Sequence, residues 1–439
     1  MHNIEPKNVH NVLSSTMLVD GLDLVLDLKK SKGLNLFDSK SNSEYLDFFS
    51  SFASSPLGFN HPRLLNGYSK DLAEASKHKP SNSDIYTVEM ANFVKAFKEI
   101  AMPDFMKYLF FIDGGALAVE NALKVAFDWK IKKNLQKGIS GEKGSKIIHF
   151  RQAFHGRSGY TLSLTNTDPN KIEHFPKFDW PRITNPKITF PPERNIDSIQ
   201  ELEQQAVEEI LMAIHNNKND VAAIIIEPVQ AEGGENFFRV EFIQKLREIA
   251  DEYELLLIFD EIQTGMGFTG TWWACEHFDV KPDIICFGKK AQVCGIMVTD
   301  RIDDVEDHCF RKSSRINSTW GGNLTDMVRA TKYLEIIRDE NLVNNAKVMG
   351  EYLLSNLKNL ENEFSNLVSQ SRGLGLMCSF DLPDTETRNL FINKCFEHKL
   401  IILSCGPKSV RFRTVLDVKQ DDIDRGLKII KKVLTLINK

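Results

Sequence analysis

The stretch VAAIIIEPVQAEGGENFFRVEFIQKLREIADEYELLLIFDE (221–261) contains two apolar runs with a helical pattern between them. The runs VAAIIIEPV (221–229) and LLLIFDE (255–261) are rich in Ile and Leu and lack polar alternation, which is typical of parallel strands buried on both faces. The stretch EFIQKLREIADEYE (241–254) has the spacing of an amphipathic helix. This order predicts an α/β fold in which helices cover both sides of a parallel sheet.

Two further apolar runs extend the pattern, SKIIHF (145–150) before it and DIICFG (283–288) after it. After about residue 322 the pattern changes to a long helical stretch (323–342), followed by short strands and two helices. We therefore predict a large α/β domain and a smaller α+β domain. The predicted segments are an N-terminal segment (1–65), which completes the small domain or reaches across to a partner, the large domain (66–322) and the small domain (323–439).

The composition is that of a soluble globular protein. The 439 residues are 42% hydrophobic and 26% charged, with a net charge of −5, and the length suggests two or three domains. This charge does not favour nucleic acid as a partner, and no apolar run has the length of a membrane span. The start, MHNIEPKNVHNVL, lacks signal-peptide features, and the seven cysteines form no CxxC pattern. These features predict a cytoplasmic protein without disulfides or structural zinc.

Acidic residues follow two of the predicted strands. Asp260 and Glu261 end one strand, and EPVQAEGG (227–234) supplies Glu227 and Glu232 after another. Ligands of α/β proteins bind at the carboxyl ends of strands, where a carboxylate pairs with a cation, a metal or a ring N–H⁺. A helix cap or a solvated strand end explains a single carboxylate equally well.

The stretch FIDGGALAVENALKVAFDWK (111–130) places Gly114 and Gly115 directly before a predicted helix. Backbone N–H groups and the helix dipole at such a start bind phosphate. Two glycines that only turn the chain would give the same pattern, because the stretch matches neither GxGxxG nor Walker A.

The stretch FRQAFHGRSGYT (150–161) also follows a predicted strand. Phe154 and His155 are suited to stack on a planar ring, and Arg157 is suited to hold a carboxylate through two parallel hydrogen bonds. A lone histidine is more often a structural residue.

Two lysines, Lys289 and Lys290, follow the last apolar run in CFGKKAQVCG (286–295). A lysine amine that burial or a nearby cation has deprotonated condenses with an aldehyde to form a Schiff base. A phosphate site, a carboxylate for a pyridinium nitrogen, an aromatic ring and such a lysine together match pyridoxal 5′-phosphate (PLP).

With these stretches the chain resembles the class III (ω-amino acid) aminotransferases of PLP fold type I, over nearly its whole length. EPVQAEGG, FDEIQTGMGFTG, PDIICFGK and STWGGN stand in the family order and spacing. The resemblance implies the aspartate aminotransferase-like fold, with a mostly parallel seven-stranded sheet in the large domain and a small α+β domain. It also implies a homodimer with shared active sites, whose interface includes the N-terminal segment.

Several stretches depart from the general family pattern, and in these the chain resembles the L-lysine 6-aminotransferase subfamily. KAQVCGIM stands where a glycine-rich run is usual, and MGFTG stands where FGRTG is usual. The implied ping-pong reaction transfers the ε-amino group of L-lysine to 2-oxoglutarate. Its products are L-glutamate and 2-aminoadipate 6-semialdehyde, which cyclises to 1-piperideine-6-carboxylate. The alternatives are an ornithine or 4-aminobutyrate donor, a PLP aminomutase or decarboxylase, and a dinucleotide-dependent oxidoreductase, for which GxGxxG is missing.

Matching the family residue by residue implies the cofactor contacts and leaves Lys290 without a role. Lys289 forms the Schiff base and moves protons, and Asp260 pairs with the pyridine nitrogen. Phe154 stacks on the ring, and Gln263 bonds the 3-hydroxyl oxygen. The phosphate is bound by Gly115 and Ala116 and is reached from the neighbouring subunit by Ser318 and Thr319.

The same matching implies the substrate contacts and no metal. Arg411 holds the near carboxylate of the keto acid and Arg157 the distal carboxylate, while Asn317 shapes the channel. Glu232 neutralises Arg411 when the apolar chain of lysine is bound, since an unpaired buried charge costs several kcal/mol. Arg413 is the alternative anchor for the near carboxylate, but strand alternation from Arg411 predicts that Arg413 points to the opposite face.

Overall fold

The computed structural model describes residues 4–65 and 68–438. The strands within these ranges are β1 (Asn35–Asp38), β2 (Ser43–Asp47), β3 (Tyr108–Ile112), β4 (Lys146–Phe150), β5 (Arg182–Ile183), β6 (Val221–Ile226), β7 (Leu256–Asp260), β8 (Ile284–Phe287), β9 (Cys294–Val298), β10 (Ser369–Leu374), β11 (Met377–Asp381), β12 (Leu400–Ile401), β13 (Leu403–Cys405) and β14 (Ser409–Arg411).

The helices in the same ranges lie between and around these strands. They are α1 (Val9–Ser14), α2 (Ser50–Ala53), α3 (Pro62–Leu65), α4 (Tyr68–Ser76), α5 (Val88–Ile100), α6 (Gly115–Gln136), α7 (Thr161–Leu164), α8 (Ile196–Asn216), α9 (Val240–Glu252), α10 (Leu324–Asp339), α11 (Leu342–Glu363), α12 (Thr385–Glu397) and α13 (Gln420–Ile437). No helix of the described residues is long and apolar enough to cross a membrane.

The main sheet has seven strands in the order β3-β9-β8-β7-β6-β4-β5. Strands β8, β7, β6, β4 and β5 pair in parallel, and β9 runs antiparallel to both of its neighbours, β8 and β3. The predicted mostly parallel seven-stranded sheet is thus confirmed.

The apolar runs supply both faces of this sheet. Ile224 and Leu257 belong to the core that includes residues of α9, while Ile225 and Ile258 belong to the core that includes residues of α6. Every residue of β6 and β7 is buried, and each fully buried Ile or Leu side chain stabilises the fold by about 1.5–3 kcal/mol. Strand β6 ends at Ile226, earlier than predicted, because Pro228 has no N–H for the sheet.

The second sheet has the order β10-β11-β14-β13, and all of its pairs are antiparallel. Strand β14 ends at Arg411, so the predicted strand SVRFRTVL is shorter than expected. Arg413 lies beyond this strand, so strand alternation does not determine its direction.

A third sheet joins the two ends of the chain, because β2 pairs with β1 and, in parallel, with β12. Phe48, which follows β2, shares a core with Phe412 and with Ile430 of α13. The predicted boundary between the N-terminal segment and the large domain, at residues 65 and 66, adjoins residues 66–67, which lie outside the described residues.

The segment Ser50–Ala53 is a left-handed turn without glycine. Its four φ angles lie between 39° and 65°, a region that costs an L-residue roughly 1–2 kcal/mol. Asp47 holds the start of the turn, because its Oδ1 accepts the N–H groups of Phe49 and Ser50, each at 2.8 Å. Burial raises the pKa of Asp47 to about 6 although these hydrogen bonds favour the carboxylate.

Substitution of the exposed Ser51 tests the conformation of this turn. At φ 53°, Ser51→Gly relieves the clash of the side chain with the backbone, and we expect a gain of about 0.5–1 kcal/mol in stability after the extra entropy of the unfolded glycine. Ser51→Val adds a β-branched side chain, and we expect a loss of about 1 kcal/mol or more. Calorimetric Tm values of the two variants and the wild type check this. A glycine variant that melts below the valine variant contradicts the assigned turn.

Candidate active site

A cavity of about 760 Å³ lies at the carboxyl edge of the seven-stranded sheet. Strands β4, β6, β7 and β8 each end beside it, which is why residues distant in sequence meet there. The structure brings together seven of the predicted site residues in its lining, namely Gly115, Ala116, Phe154, Arg157, Asp260, Gln263 and Lys289.

One wall of the cavity is the start of α6. No side chain caps this helix, Gly114 has a φ of 99°, and the first two helical residues, Gly115 and Ala116, line the cavity. A Cβ on Gly156 would lie 2.5 Å from the Cβ of Ala116, and a Cβ on Gly115 would lie 3.1 Å from Ile262. The loops therefore pack closely around an exposed helix start, which is a site for an anion such as phosphate.

Glu227 fixes the backbone that carries Phe154. Its Oε1 accepts the N–H of Phe154 at 2.8 Å, and its Oε2 accepts the N–H of Ala231 at 3.2 Å. Burial, followed by the charge of Asp260, raises the pKa of Glu227 well above its usual range. The Phe154 ring is thus presented to the cavity by a buried carboxyl group that was predicted only as a possible ligand.

Asp260 is buried and held from two sides. Its Oδ2 lies 2.8 Å from Nδ1 of His155, and its Oδ1 accepts the N–H of Ile262 at 3.2 Å. The other ring nitrogen of His155, Nε2, is buried without a hydrogen-bond partner. His155 therefore orients Asp260 and is not the stacking residue that the sequence also allowed. Glu261 points elsewhere and accepts the N–H groups of Ala274 and Cys275.

Gln263 is oriented by Arg413. The Nε of Arg413 donates to Oε1 of Gln263 at 2.9 Å, and Arg413 also pairs with the fully buried Glu235. The expectation that Arg413 faces away from the site is wrong, because the strand ends before it. With Oε1 of Gln263 occupied, its Nε2 remains as the donor toward the cavity.

Lys289 has a backbone conformation that is rare for lysine, with a φ of 49° in the turn after β8. Its Nζ donates to the carbonyl of Phe52 at 2.9 Å. Burial, together with the charges of Arg411 and Arg413, lowers the pKa of Lys289 to about 8. A strained backbone and a lowered amine pKa are expected of a lysine that reacts.

Lys290 points away from the cavity into the protein. Its Nζ donates to the carbonyl of Ala53 at 2.7 Å and lies 3.7 Å from the centroid of the Phe268 ring. Burial and the charges of Arg413 and Lys289 lower its pKa well below the usual value. Lys290 thus holds the left-handed turn at Ser50–Ala53, a structural role that the family matching did not supply.

The predicted substrate residues lie around Lys289. Arg411 is 4% exposed, and its Nη2 donates to Oε2 of Glu232 at 2.9 Å. The Nε of Arg411 is buried without a hydrogen-bond partner. Arg157 is exposed at the cavity and makes no ion pair within the described residues. Two arginines, one deep and paired and one open, are suited to a substrate with two carboxylates.

Glu232 and Arg411 are not in the lining of this cavity, although their charges act on Lys289. Three further predicted residues, Asn317, Ser318 and Thr319, also lie outside the lining. They belong to a mostly exposed stretch, in which the Ser318 carbonyl accepts the hydroxyl of Ser83 at 2.6 Å. Their expected contact with a neighbouring subunit stays a prediction.

The residues present fit PLP. The uncapped start of α6 suits the phosphate, Asp260 suits a ring N–H⁺, the free Nε2 of Gln263 suits the phenolic oxygen, and Lys289 suits the aldehyde. Among the described residues, no group of three or more His, Cys, Asp or Glu side chains is placed to hold a metal ion.

The chain belongs to the class III aminotransferases, since the family model for aminotransferase class III matches residues 17–434. An L-lysine-epsilon aminotransferase of Mycobacterium tuberculosis is 48% identical over 98% of this chain and 96% of its own length. One of Streptomyces clavuligerus is 44% identical over 99% of this chain and 96% of its own length. The solved structure of the lysine aminotransferase from M. tuberculosis in the internal aldimine form superposes with a TM-score of 0.97, at 47% identity, over 99% of this chain and all of that one. The predicted fold type is confirmed.

The sequence did not predict which residues hold or orient the other side chains of the site. Glu227 and His155 were noted without these contacts, Arg413 was set aside, and Lys171, whose Nζ lies 2.5 Å from Glu232, was not noted at all. A helical or strand period carries no signal for such contacts, because they join loops after different strands. The only sequence feature that could have indicated one of these contacts was the position of Arg413, two residues beyond Arg411.

The two adjacent lysines form a matched pair for mutation. Lys289→Met removes the reactive amine, and we expect turnover to fall by at least about 10²-fold, the usual effect of losing a proton-transfer group. Lys290→Met keeps a flexible apolar chain on Phe268 but leaves the Ala53 carbonyl without its donor. We expect this variant to keep turning over and to lose about 1–3 kcal/mol of stability. Turnover and Tm are measured for both; an inactive Lys290 variant beside an active Lys289 variant reverses the assignment.

Proposed function

We propose that the protein transfers the ε-amino group of L-lysine to 2-oxoglutarate, using PLP, and forms 2-aminoadipate 6-semialdehyde and L-glutamate. The observation that carries this proposal is the ion pair of Glu232 with Arg411 beside Lys289. A pocket with this pair accepts an apolar chain when the pair is closed and a carboxylate when it is open. The full-length relatives at 44% and 48% identity, both named L-lysine-epsilon aminotransferase, support lysine as the donor.

The cofactor would be held by the residues described at the cavity. The start of α6, at Gly115 and Ala116, binds the phosphate, and Phe154 lies on the ring face. Asp260, oriented by His155, keeps a proton on the ring nitrogen, and Gln263 donates to the phenolic oxygen. When bound, PLP acts as an electron sink that stabilises negative charge at the carbon that bears the amino group.

Lys289 would carry out the proton transfers. Its Nζ has a pKa of about 8, so a substantial share of the amine is unprotonated at slightly alkaline pH and is able to take a proton from the substrate carbon. Burial depresses this pKa most, and the positive charges of Arg411 and Arg413 depress it further.

Arg157 and Arg411 would distinguish the two substrates by distance. Lysine places its amine at the cofactor and its carboxylate far away, where the exposed Arg157 lines the cavity. Glutamate places a carboxylate close to its reacting amine, where Arg411 lies. In this arrangement Glu232 stays on Arg411 while lysine is bound and leaves it when a substrate carboxylate takes its place. We also propose that Asn317 shapes the substrate channel.

The assembly would be a cytoplasmic homodimer with shared active sites. In this proposal Ser318 and Thr319 reach the phosphate of the other subunit, which accords with their exposed position. We also propose the division into residues 1–65, 66–322 and 323–439, with the first segment joined to the last through β1, β2 and β12.

The half-reactions of the purified holoenzyme test the proposed function. L-lysine, L-ornithine, 4-aminobutyrate and L-glutamate are each added without keto acid, and the absorbance of the cofactor is followed. We expect rapid conversion to the amine form of the cofactor by L-lysine and L-glutamate, with 1-piperideine-6-carboxylate as the product from lysine. Conversion by ornithine or 4-aminobutyrate while lysine is inert places the protein in another branch of the family.

Glu232→Ala tests the switch between the two substrates. Without the carboxylate, Arg411 stays charged beside the apolar chain of lysine, and an unpaired buried charge costs several kcal/mol. We therefore expect the kcat/KM of the L-lysine half-reaction to fall by about tenfold or more, and that of L-glutamate to fall much less. Stopped-flow measurement of both half-reactions checks this, and equal losses contradict the role of Glu232.

A further inference from the structure

Glu232 has two cationic partners, one on each carboxylate oxygen. Arg411 donates to Oε2 at 2.9 Å, and Nζ of Lys171 lies 2.5 Å from Oε1. Both contacts lower the pKa of Glu232 against the opposing effect of burial. Nothing in the proposed function uses the second cation.

Lys171 is built into the edge of the site. It ends the short turn Pro169–Lys171, which the Asp168 side chain caps through the N–H of Asn170 at 3.0 Å. Its Nζ lies 5.7 Å from the centroid of the Phe154 ring, and its side chain is 25% exposed. The charge is therefore held near the substrate space rather than free in solvent.

The charges balance differently in the two states of the pocket. With Glu232 on Arg411, two cations share one carboxylate. When a substrate carboxylate takes Arg411, Glu232 has to leave that arginine. It then keeps a partner only if Lys171 stays with it, and each cation is paired with one carboxylate.

We propose that Lys171 is a positioning residue that keeps Glu232 paired when Arg411 is released to a substrate carboxylate, and so favours binding of the dicarboxylate substrate. The inference rests on the proposed function of Glu232 and Arg411. It assigns Lys171 an effect opposite in direction to that of Glu232, because loss of Glu232 harms the donor with an apolar chain and loss of Lys171 harms the substrate with a near carboxylate.

Three variants of the holoenzyme test this role. Lys171→Met removes the charge at similar length, and Lys171→Arg keeps it. Lys177→Met is the control, because it removes one charge from the same exposed segment, where Lys177 donates to the carbonyls of Ile172 and Phe175.

Binding of glutarate, a five-carbon dicarboxylate without a reactive keto group, is measured by calorimetry. We expect a Kd about tenfold weaker in Lys171→Met, the size of a lost hydrogen bond between charged groups. We expect Kd values close to wild type in Lys171→Arg and Lys177→Met. An unchanged Kd in Lys171→Met overturns the proposal.

The half-reactions separate positioning from a general structural effect. In Lys171→Met we expect the KM for L-glutamate to rise by about tenfold at nearly constant kcat, with the L-lysine half-reaction unchanged or faster. Equal losses for both amino donors contradict the proposal.

The Glu232→Gln background shows whether Lys171 acts through Glu232. Without the charge on residue 232, we expect Lys171→Met to have no further effect on glutarate binding. The same tenfold loss in both backgrounds means that Lys171 binds the ligand itself, which overturns the positioning role. If wild type reacts with L-glutamate and another ω-amine but not with L-lysine, only the donor assignment fails, and the glutarate ratios still decide the role of Lys171.

Discussion

The parallel pairing of β7 with both β6 and β8 determines where the groups of the site lie. Parallel strands present their carboxyl ends at one edge, so the residues that follow β6, β7 and β8 meet there although they are tens of residues apart in sequence. Because these strands are buried on both faces, a change of register would move apolar side chains out of two cores at once. The stability of the sheet and the geometry of the site thus depend on the same apolar side chains.

Electrostatic coupling connects the groups that this edge brings together. Lys289 has Arg411 and Arg413 as neighbours that lower its pKa, and Glu232 and Asp260 as neighbours that raise it. A carboxylate that moves or binds near Arg411 therefore alters the basicity of the amine as well as the occupancy of the arginine. Binding of substrate and readiness for proton transfer are linked by charge, without any need for a large movement of the backbone.

Sequence patterns indicate strands and helices, and therefore predicted the sheet and the residues at its edge, but they do not indicate contacts between loops. The apolar runs predicted the sheet and placed Phe154, Asp260 and Lys289 at its edge, because a buried parallel strand fixes both its own position and that of the residues that follow it. Gly115 was predicted from the two glycines before a helix, and the choice of Lys289 over Lys290 came from the family resemblance. The pattern failed where contacts cross between loops. Arg413 was predicted to face away because alternation was extended beyond the end of β14, and the contact of Lys171 with Glu232 joins two loops 61 residues apart.

The left-handed turn at Ser50–Ala53 ties the first part of the chain to the reactive lysine through main-chain atoms. The carbonyls of Phe52, Ala53 and Ser54 accept, in order, the side chains of Lys289, Lys290 and Gln292. Since every residue type has the same carbonyl, drift in the identity of these three residues leaves the contacts intact. Insertion or deletion of one residue after Asp47 would instead shift all three acceptors together. The segment is therefore constrained in length more than in composition, and its alignment across relatives should show substitutions without gaps.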